Sequence, residues 1–215
     1  MKPEVVVVDY GMGNLLSVAR AMEHCGANVQ LTRSPEAIRS AERVVLPGVG
    51  AFKVGMAGLQ ERGLVEPLRE FAGSGRPLLG ICLGMQMLFE LSEEFGEHAG
   101  LGLIAGRVVP IPAQGSKGEA HKIPHIGWNE LVPSGSPDAW MSSILRHVPA
   151  HCSAYFVHSF AAIPAHQRER VADCFYDGIQ IAAVVRSGSV AGCQFHPEKS
   201  GKTGLAILDS FIRGN

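Results

Sequence analysis

The sequence predicts an α/β protein in which helices cover both faces of a central, mixed but mostly parallel sheet. In the first half, short apolar runs alternate with helical patterns, which is typical of parallel strands joined by crossover helices. In the second half, strand-like segments follow one another with short connections, which indicates antiparallel extensions. No Pro- or Ser-rich boundary separates the halves, so we expect one domain over residues 1–215.

The first half begins with valines at residues 5–8, whose β-branched side chains indicate a strand buried on both faces. Residues 14–25 carry apolar side chains at helical spacing, and Gly26 supplies a left-handed stop. Ser34 and Pro35 provide the N-cap and first turn of a second helix. The other elements expected here are strands at 29–31, 44–46 and 77–81 and helices at 52–62, 64–72 and 84–91.

The second half contains segments rich in β-branched and aromatic residues, which predict strands at 103–109, 126–132, 154–158, 170–176, 180–186 and 189–195. The polar stretch 114–120 is expected to be an exposed loop. Residues 203–212 have an amphipathic pattern and should close the chain as a helix.

The composition favours a globular protein that acts on a small molecule. Hydrophobic residues make up 46% of the chain and charged residues 18%, which is enough apolar material for a large core. A net charge of −1 gives no field that would steer the protein to nucleic acid or an anionic membrane. The apolar runs are too short to span a bilayer and no signal-peptide pattern opens the chain, so we expect a cytoplasmic location. Five cysteines without CxxC spacing argue against a disulfide framework or a zinc ribbon.

Cys82 lies between an apolar strand and a helix, with Gly80 and Gly84 two residues before and after it. Such glycines let the backbone turn sharply and project the side chain from the carboxyl end of the strand, as in the nucleophile elbow of serine hydrolases. The following helix directs free N–H groups at the sulfur, which favours the thiolate, and the Leu83 N–H is placed to donate to an oxyanion. A free cysteine is more often a core residue, but the paired glycines favour a nucleophile here.

His196 and Glu198 follow a strand-like run that ends at Phe195. If the chain stays extended, the period of two places both side chains on the same side. The carboxylate could then fix the imidazole tautomer while the other ring nitrogen faces the thiol. Cys193 would point to the opposite face and is expected to pack in the core.

Two other patterns are weaker. Gly-Met-Gly at 11–13 could begin a dinucleotide fingerprint, but Leu16 occupies the third glycine position. Two histidine pairs have helical i, i+4 spacing but lack the glutamate of HExxH and a convincing helix, so we expect no metal site. These pairs are His121 with His125 and His147 with His151.

GICLGMQ at 80–86 together with FHPEKSG at 195–201 resembles the class I glutamine amidotransferases. Met85 and three further motifs are similar to the glutaminase subunits of imidazole glycerol phosphate synthases, whereas subunits for anthranilate or GMP synthesis usually carry histidine in place of Met85. The resemblance covers nearly the whole chain and implies a three-layer, flavodoxin-like fold. The three further motifs are DYGMGN at 9–14, PGVGAF at 47–52 and PHIGWN at 124–129.

The resemblance implies an enzyme that releases ammonia from glutamine without a cofactor. Its chemistry would be carried by the nucleophile Cys82, the acid/base His196 and the orienting Glu198. The oxyanion donors would come from the backbone of Leu83, Gly48, Val49 and Gly50. Glutamine would be held by Gln86, Glu94 and the main chain around Ser159.

The resemblance also implies a heterodimer with a (β/α)8 cyclase subunit, which would use the ammonia to form imidazole glycerol phosphate and an aminoimidazole carboxamide ribotide. Trp128 matches an interface position but could equally be a core aromatic residue. One hypothesis is that the Val49 peptide is misoriented in the isolated subunit and is corrected when the liganded cyclase docks, because adjacent glycines make the rotation inexpensive. The interface positions implied are Asn14, Trp128, Asn129 and Lys199.

Three rival functions remain open at this stage. An amidotransferase that serves another acceptor would co-purify with a different synthase. A catalytically silent binding module predicts a broken triad, which this sequence does not show. A peptidase of the same fold would not release ammonia from free glutamine, and the His-Pro-Glu pairing argues against it.

Overall fold

The computed structural model describes residues 2–135 and 137–214. The strands are β1 (Glu4–Val8), β2 (Asn28–Thr32), β3 (Val44–Gly48), β4 (Leu78–Cys82), β5 (Phe89–Ser92), β6 (His98–Ala99), β7 (Ile104–Pro110), β8 (His125–Glu130), β9 (Val132–Pro133), β10 (Ser153–His158), β11 (Phe160–Pro164), β12 (Arg170–Tyr176), β13 (Ile179–Ser187) and β14 (Val190–Cys193). The helices are α1 (Leu15–His24), α2 (Pro35–Ser40), α3 (Phe52–Glu61), α4 (Val65–Gly73), α5 (Leu83–Met87), α6 (Pro137–Met141) and α7 (Gly201–Arg213), with 3₁₀ turns at Gln167–Glu169 and Pro197–Lys199.

Within the described residues, eight strands form the central sheet in the order β2-β1-β3-β4-β14-β13-β12-β9. The strands from β2 to β14 are parallel, and β13, β12 and β9 extend the sheet with antiparallel pairing. Two smaller sheets lie outside it, one formed by β10 and β8 and the other by β11, β7, β5 and β6. The parallel centre and the antiparallel extensions match the expected mixed α/β sheet.

The valines of β1 show why this sheet is covered on both faces. Val5 and Val7 belong to one apolar core, with side chains of α1 and α7. Val6 and Val8 belong to the other, with side chains of α2, α3, α4 and α5. Successive strand side chains point to opposite faces, so an unbroken apolar strand requires a layer of helices on each side. The predicted three-layer α/β arrangement is confirmed.

Two predicted local signals have the expected geometry. Gly26, just after α1, has a φ of 91°, the left-handed conformation that ends a helix. At the start of α2, the Ser34 hydroxyl accepts a hydrogen bond from the Ala37 N–H at 3.2 Å, as an N-cap residue should. Residues 114–120 are mainly exposed, as expected of a loop.

The helix predicted over 84–91 is wrong in its second half. α5 ends at Met87, and Phe89–Ser92 forms β5, which pairs in parallel with β7. Phe89 is fully buried there, so strand pairing and burial outweigh a helical pattern that was ambiguous over so short a run. The sequence reasoning also missed the short elements β6, β11 and α6. None of the helices in the described ranges has the length and apolar character needed to cross a membrane.

Candidate active site

The site lies where three adjacent parallel strands end. β4 is flanked by β3 and β14, with Gly48 in register with Cys82 and Cys193 in register with Ile81. Residues that follow parallel strands emerge at the same edge of the sheet. The sheet order therefore brings the loop after Gly48, the Cys82 turn and His196 together, although they are far apart in the sequence.

Cys82 adopts the strained turn that the sequence predicts. Its φ is 54°, in the left-handed region that non-glycine residues seldom occupy. A side chain at Gly84 would collide with the Leu46 carbonyl oxygen, and one at Gly80 would lie 2.7 Å from the Met85 N–H nitrogen. Both glycines are required because the turn presses α5 against the strands, and the turn places Cys82 on the wall of a cavity.

His196 is held between a carboxylate and the thiol. Its Nδ1 lies 2.9 Å from Glu198 Oε1, and the two side chains are 5% and 1% exposed. The His196 backbone N–H donates to the Tyr155 carbonyl oxygen at 2.9 Å, which fixes the residue against β10. Burial by itself lowers the pKa of His196, but hydrogen bonds to Cys82 and Glu198 outweigh burial and raise the pKa to about 9. The arrangement favours the protonated form of His196 beside Cys82.

The expected extended path through Pro197 is wrong. β14 ends at Cys193, and Pro197–Lys199 is a 3₁₀ turn. The contact between His196 and Glu198 is therefore made by a tight turn and not by strand alternation. Proline fixes its own φ in a range that suits the first position of such a turn. Cys193 is fully buried in the core, where burial, followed by the nearby Glu198 and Cys82, raises the pKa of its thiol well above the ordinary value.

Gln194 is a site residue that the sequence reasoning missed. Its side chain is fully buried, and its Nε2 lies 3.8 Å from Cys82 Sγ. Its Oε1 accepts from Gln86 Nε2 at 3.1 Å, and the same Gln86 nitrogen donates to the Phe160 carbonyl oxygen at 3.0 Å. A polar residue two positions before His196, in an otherwise apolar strand, was the available signal. Gln86 thus positions the Gln194 side chain, which lies beside the Cys82 sulfur.

A cavity of about 490 Å³ opens at this edge. Glu94 lines it, and its Oε2 accepts from the Phe52 N–H at 2.5 Å, at the first turn of α3 and directly after the loop 48–51. The Ser159 carbonyl oxygen is already used by the Ile111 N–H at 2.9 Å. The described cavity wall combines the predicted catalytic, oxyanion and substrate positions Val49, Gly50, Cys82, Leu83, Gln86, Glu94, Ser159 and His196. Gly48 is not part of this wall and lies behind the loop.

A pair of buried histidines adjoins the cavity. His158 Nδ1 lies 2.8 Å from the Phe160 carbonyl oxygen, and its Nε2 lies 3.0 Å from His125 Nδ1. Desolvation by burial lowers the pKa of His158 to about 3 and that of His125 to about 4. Both are therefore neutral at ordinary pH. Across the described ranges, no three or more His, Cys, Asp or Glu side chains cluster in a way that could hold a metal.

The four predicted interface positions differ in exposure and in contacts. Trp128 is 59% exposed, so the core interpretation is wrong, and its ring contacts that of Tyr155 edge to face with centroids 6.0 Å apart. Asn129 donates to the Phe175 carbonyl oxygen at 2.9 Å. Lys199 is exposed and follows Glu198, while Asn14 is half-buried at the start of α1, which packs against the turn that holds Lys199.

Comparisons with known proteins show the family to which the chain belongs. The family described as Glutamine amidotransferase class-I matches residues 6–214. The chain is 55% identical over 209 residues to "Imidazole glycerol phosphate synthase subunit HisH 1" of Legionella pneumophila strain Lens, covering 97% of this chain and 98% of that protein. It is 45% identical over 211 residues to the subunit HisH of Moorella thermoacetica, covering 98% and 94%.

Solved structures support the fold alone, because their sequence identity is low. The structure described as PurLQS from Thermotoga maritima has a TM-score of 0.72 at 21% identity, with 99% of each chain covered. A structure described as a glutamine amidotransferase has a TM-score of 0.72 at 18% identity, with 98% of this chain and 99% of that chain covered. With sequence relatives, fold and site in agreement, the chain belongs to the class I glutamine amidotransferase family of enzymes and, within it, to the HisH subunits of imidazole glycerol phosphate synthase.

Proposed function

We propose that this protein hydrolyses glutamine to glutamate and ammonia through Cys82, His196 and Glu198, within a single amidotransferase domain over residues 1–215. The observation that carries the proposal is the line of side chains in which His196 contacts Cys82 on one side and Glu198 Oε1, at 2.9 Å, on the other. That order of thiol, imidazole and carboxylate is the order that nucleophilic acyl transfer requires.

The chemistry proceeds in two stages. The Cys82 thiolate attacks the side-chain amide carbon of glutamine, and the carbonyl oxygen becomes an oxyanion that accepts a hydrogen bond from the Leu83 N–H. The tetrahedral intermediate then collapses, the C–N bond breaks, and His196 gives its proton to the departing nitrogen to release ammonia. Next, His196 takes a proton from water, the resulting hydroxide attacks the glutamyl thioester, and glutamate and the thiolate are released.

The raised pKa of His196 suits its first task. With a pKa of about 9, the imidazole is protonated before the amide nitrogen leaves, so a proton donor is ready beside the sulfur. Glu198 keeps Nδ1 engaged, so the other ring nitrogen serves Cys82 and the substrate. Glu198 therefore acts by orienting the ring and stabilising its charge.

Substrate orientation follows from the charges of the cavity. Among the described side chains that line it, Glu94 carries the one carboxylate, which complements the α-ammonium group of glutamine. The amide end then lies next to Cys82, beside the wall that Gln86 positions. The backbone from Gly48 to Gly50, of which Val49 and Gly50 line the cavity, supplies a second oxyanion donor, and Ser159 contributes main-chain surface to the wall.

We further propose that the ammonia passes to a (β/α)8 cyclase subunit in a cytoplasmic heterodimer. That subunit uses it to form imidazole glycerol phosphate and an aminoimidazole carboxamide ribotide. The relatives named as synthase subunits support this, as does the exposed Trp128 ring. An exposed tryptophan that packs edge to face against its neighbour is typical of a protein interface. Asn14, Asn129 and Lys199 belong to the same proposed surface.

The test is ammonia release from glutamine by the purified chain, alone and with the cyclase subunit of the same organism and its ribonucleotide ligand. Cys82→Ala and His196→Ala should each abolish turnover while the protein stays folded. Cys25→Ala is the matched control, because its sulfur donates to the Leu205 carbonyl oxygen away from the cavity. Retained glutaminase activity in either catalytic variant would refute the roles assigned. Equal rates with and without the liganded cyclase would contradict the proposed correction of the Val49 peptide.

A further inference from the structure

Tyr10 carries a buried hydroxyl that the catalytic proposal does not use. The residue follows β1 and is 1% exposed, packed in the core that also contains Phe52 and Leu83. Within the described part of the chain, its hydroxyl has no hydrogen-bond partner. A buried hydroxyl without a partner is destabilising, and phenylalanine would fill the same space without that cost. The hydroxyl therefore calls for a functional explanation.

The hydroxyl lies directly behind the proposed oxyanion loop. A side chain at Gly48 would strike the Tyr10 hydroxyl oxygen and would lie 2.9 Å from Leu83 Cβ. Val49 and Gly50 line the cavity, whereas Tyr10 and Gly48 do not. The glycine at 48 thus lets the loop backbone rest against the hydroxyl, with the cavity on the other side of the loop.

The geometry of a peptide links these two sides. In a trans peptide the C=O and the N–H point in opposite directions. If the Gly48 carbonyl turns inward to the Tyr10 hydroxyl, the Val49 N–H must turn outward to the cavity where Cys82 lies. Rotation of that peptide changes ψ of Gly48 and φ of Val49, and the Gly48 part of the change is inexpensive because glycine has no Cβ.

We propose that Tyr10 is a positioning residue whose hydroxyl donates to the Gly48 carbonyl oxygen and so holds the Val49 N–H toward the oxyanion. This inference rests on the proposed glutaminase function and names the group that stabilises its active loop. In the present structure the Tyr10 hydroxyl has no partner among the described residues, and rotation of the Gly48–Val49 peptide would give it one.

The electrostatic surroundings keep this hydroxyl a donor. Burial raises the pKa of Tyr10 well above its ordinary value, and the neighbouring Cys82 raises it further. Tyr10 therefore stays protonated at ordinary pH. A deprotonated phenolate could only accept and would repel the Gly48 carbonyl oxygen, so the retained proton makes the contact attractive.

Tyr10→Phe tests the inference in the chain assembled with its cyclase subunit. We expect kcat for glutamine hydrolysis to fall about fivefold with KM within about twofold, since one hydrogen bond made only in the active loop is lost. The unfolding midpoint of the free variant should equal or exceed that of the wild type, because no bond is broken in the resting structure. If Tyr10 served packing alone, the variant would not combine a lower kcat with an unchanged or higher unfolding midpoint.

Tyr176→Phe is the matched control, because the Tyr176 hydroxyl donates to the Lys122 carbonyl oxygen at 2.7 Å. The same chemical change should here lower the unfolding midpoint and leave kcat unchanged. An unchanged kcat in Tyr10→Phe, beside an active wild type, would overturn the inference about Tyr10 alone. Absence of glutaminase activity in the assembled wild type would instead overturn the proposed function. Should Tyr10→Phe not fold, the resting hydroxyl has a structural role and the inference is also refuted.

Discussion

Removing the Cys82 thiol should lower the pKa of His196, and the size of the fall can be estimated from the structure. Against the lowering effect of burial, contacts with Cys82 and Glu198 move the pKa from 6.5 to about 9. A shift of that size corresponds to about 3 kcal/mol of preference for the charged ring. Cys82→Ala removes one of the two partners and leaves burial in place. We therefore expect the pKa to fall below about 9, toward the ordinary histidine value.

The assay is an NMR titration of labelled histidine side chains, with the His196 signal assigned from a His196→Asn spectrum. Cys25→Ala serves as the control and should leave the His196 titration in place, since that cysteine contacts the Leu205 carbonyl oxygen. In Cys82→Ala the midpoint should move toward the ordinary histidine value. An unchanged midpoint near that of the wild type would show that the thiol does not interact with the ring, and the catalytic assignment would lose its electrostatic basis.

Three further predictions concern residues around the site. Glu198→Gln should lower kcat in the glutaminase assay by about 30-fold, because it weakens a charge-assisted hydrogen bond worth about 2 kcal/mol. The loss should be smaller than that in Cys82→Ala, and a Glu198→Gln variant with wild-type kcat would contradict this role. Gly84→Ala should abolish folding or activity, because its added methyl group collides with a strand carbonyl, whereas Gly73→Ala, which meets nothing within 4 Å, should be tolerated in thermal unfolding; equal effects would count against the turn geometry. The pKa values of His125 and His158 in the folded protein, about 4 and about 3, lie below the ordinary 6.5, so their contribution to stability is present above pH 6.5 and is lost as the pH falls toward 4 and 3. Urea unfolding should show that about 3 kcal/mol of the free energy of unfolding is lost from His158 by pH 4. A free energy of unfolding that stays constant over that range would contradict the neutral state of the two histidines.

The parallel half of the fold was predictable because its signals are local. The valines of β1, the Ser34 cap and the glycine stop after α1 each specify their own conformation. The strand over Phe89–Ser92 was not predictable in this way, since it exists through pairing with β7 and burial of Phe89. Such pairing depends on residues distant in sequence, which local periodicity does not report.

The candidate site shows the same division. The glycines around Cys82 predicted a sharp turn, and the structure confirms it. The contact between His196 and Glu198 was expected from strand alternation, but a 3₁₀ turn makes it. Gln194 had a local signal, a polar residue in an apolar run just before His196. The role of Tyr10 had none, because it depends on the sheet pairing that brings the end of β1 beside β3.

The most direct test of the central claim is to trap the covalent intermediate. Assembled wild-type protein would be acid-quenched during turnover of carbon-labelled glutamine, digested and mapped by mass spectrometry. We expect a glutamyl group on the peptide that contains Cys82, none on peptides with the other four cysteines, and none in Cys82→Ala. A glutamyl group on another cysteine, or turnover of glutamine without any label on Cys82, would contradict it.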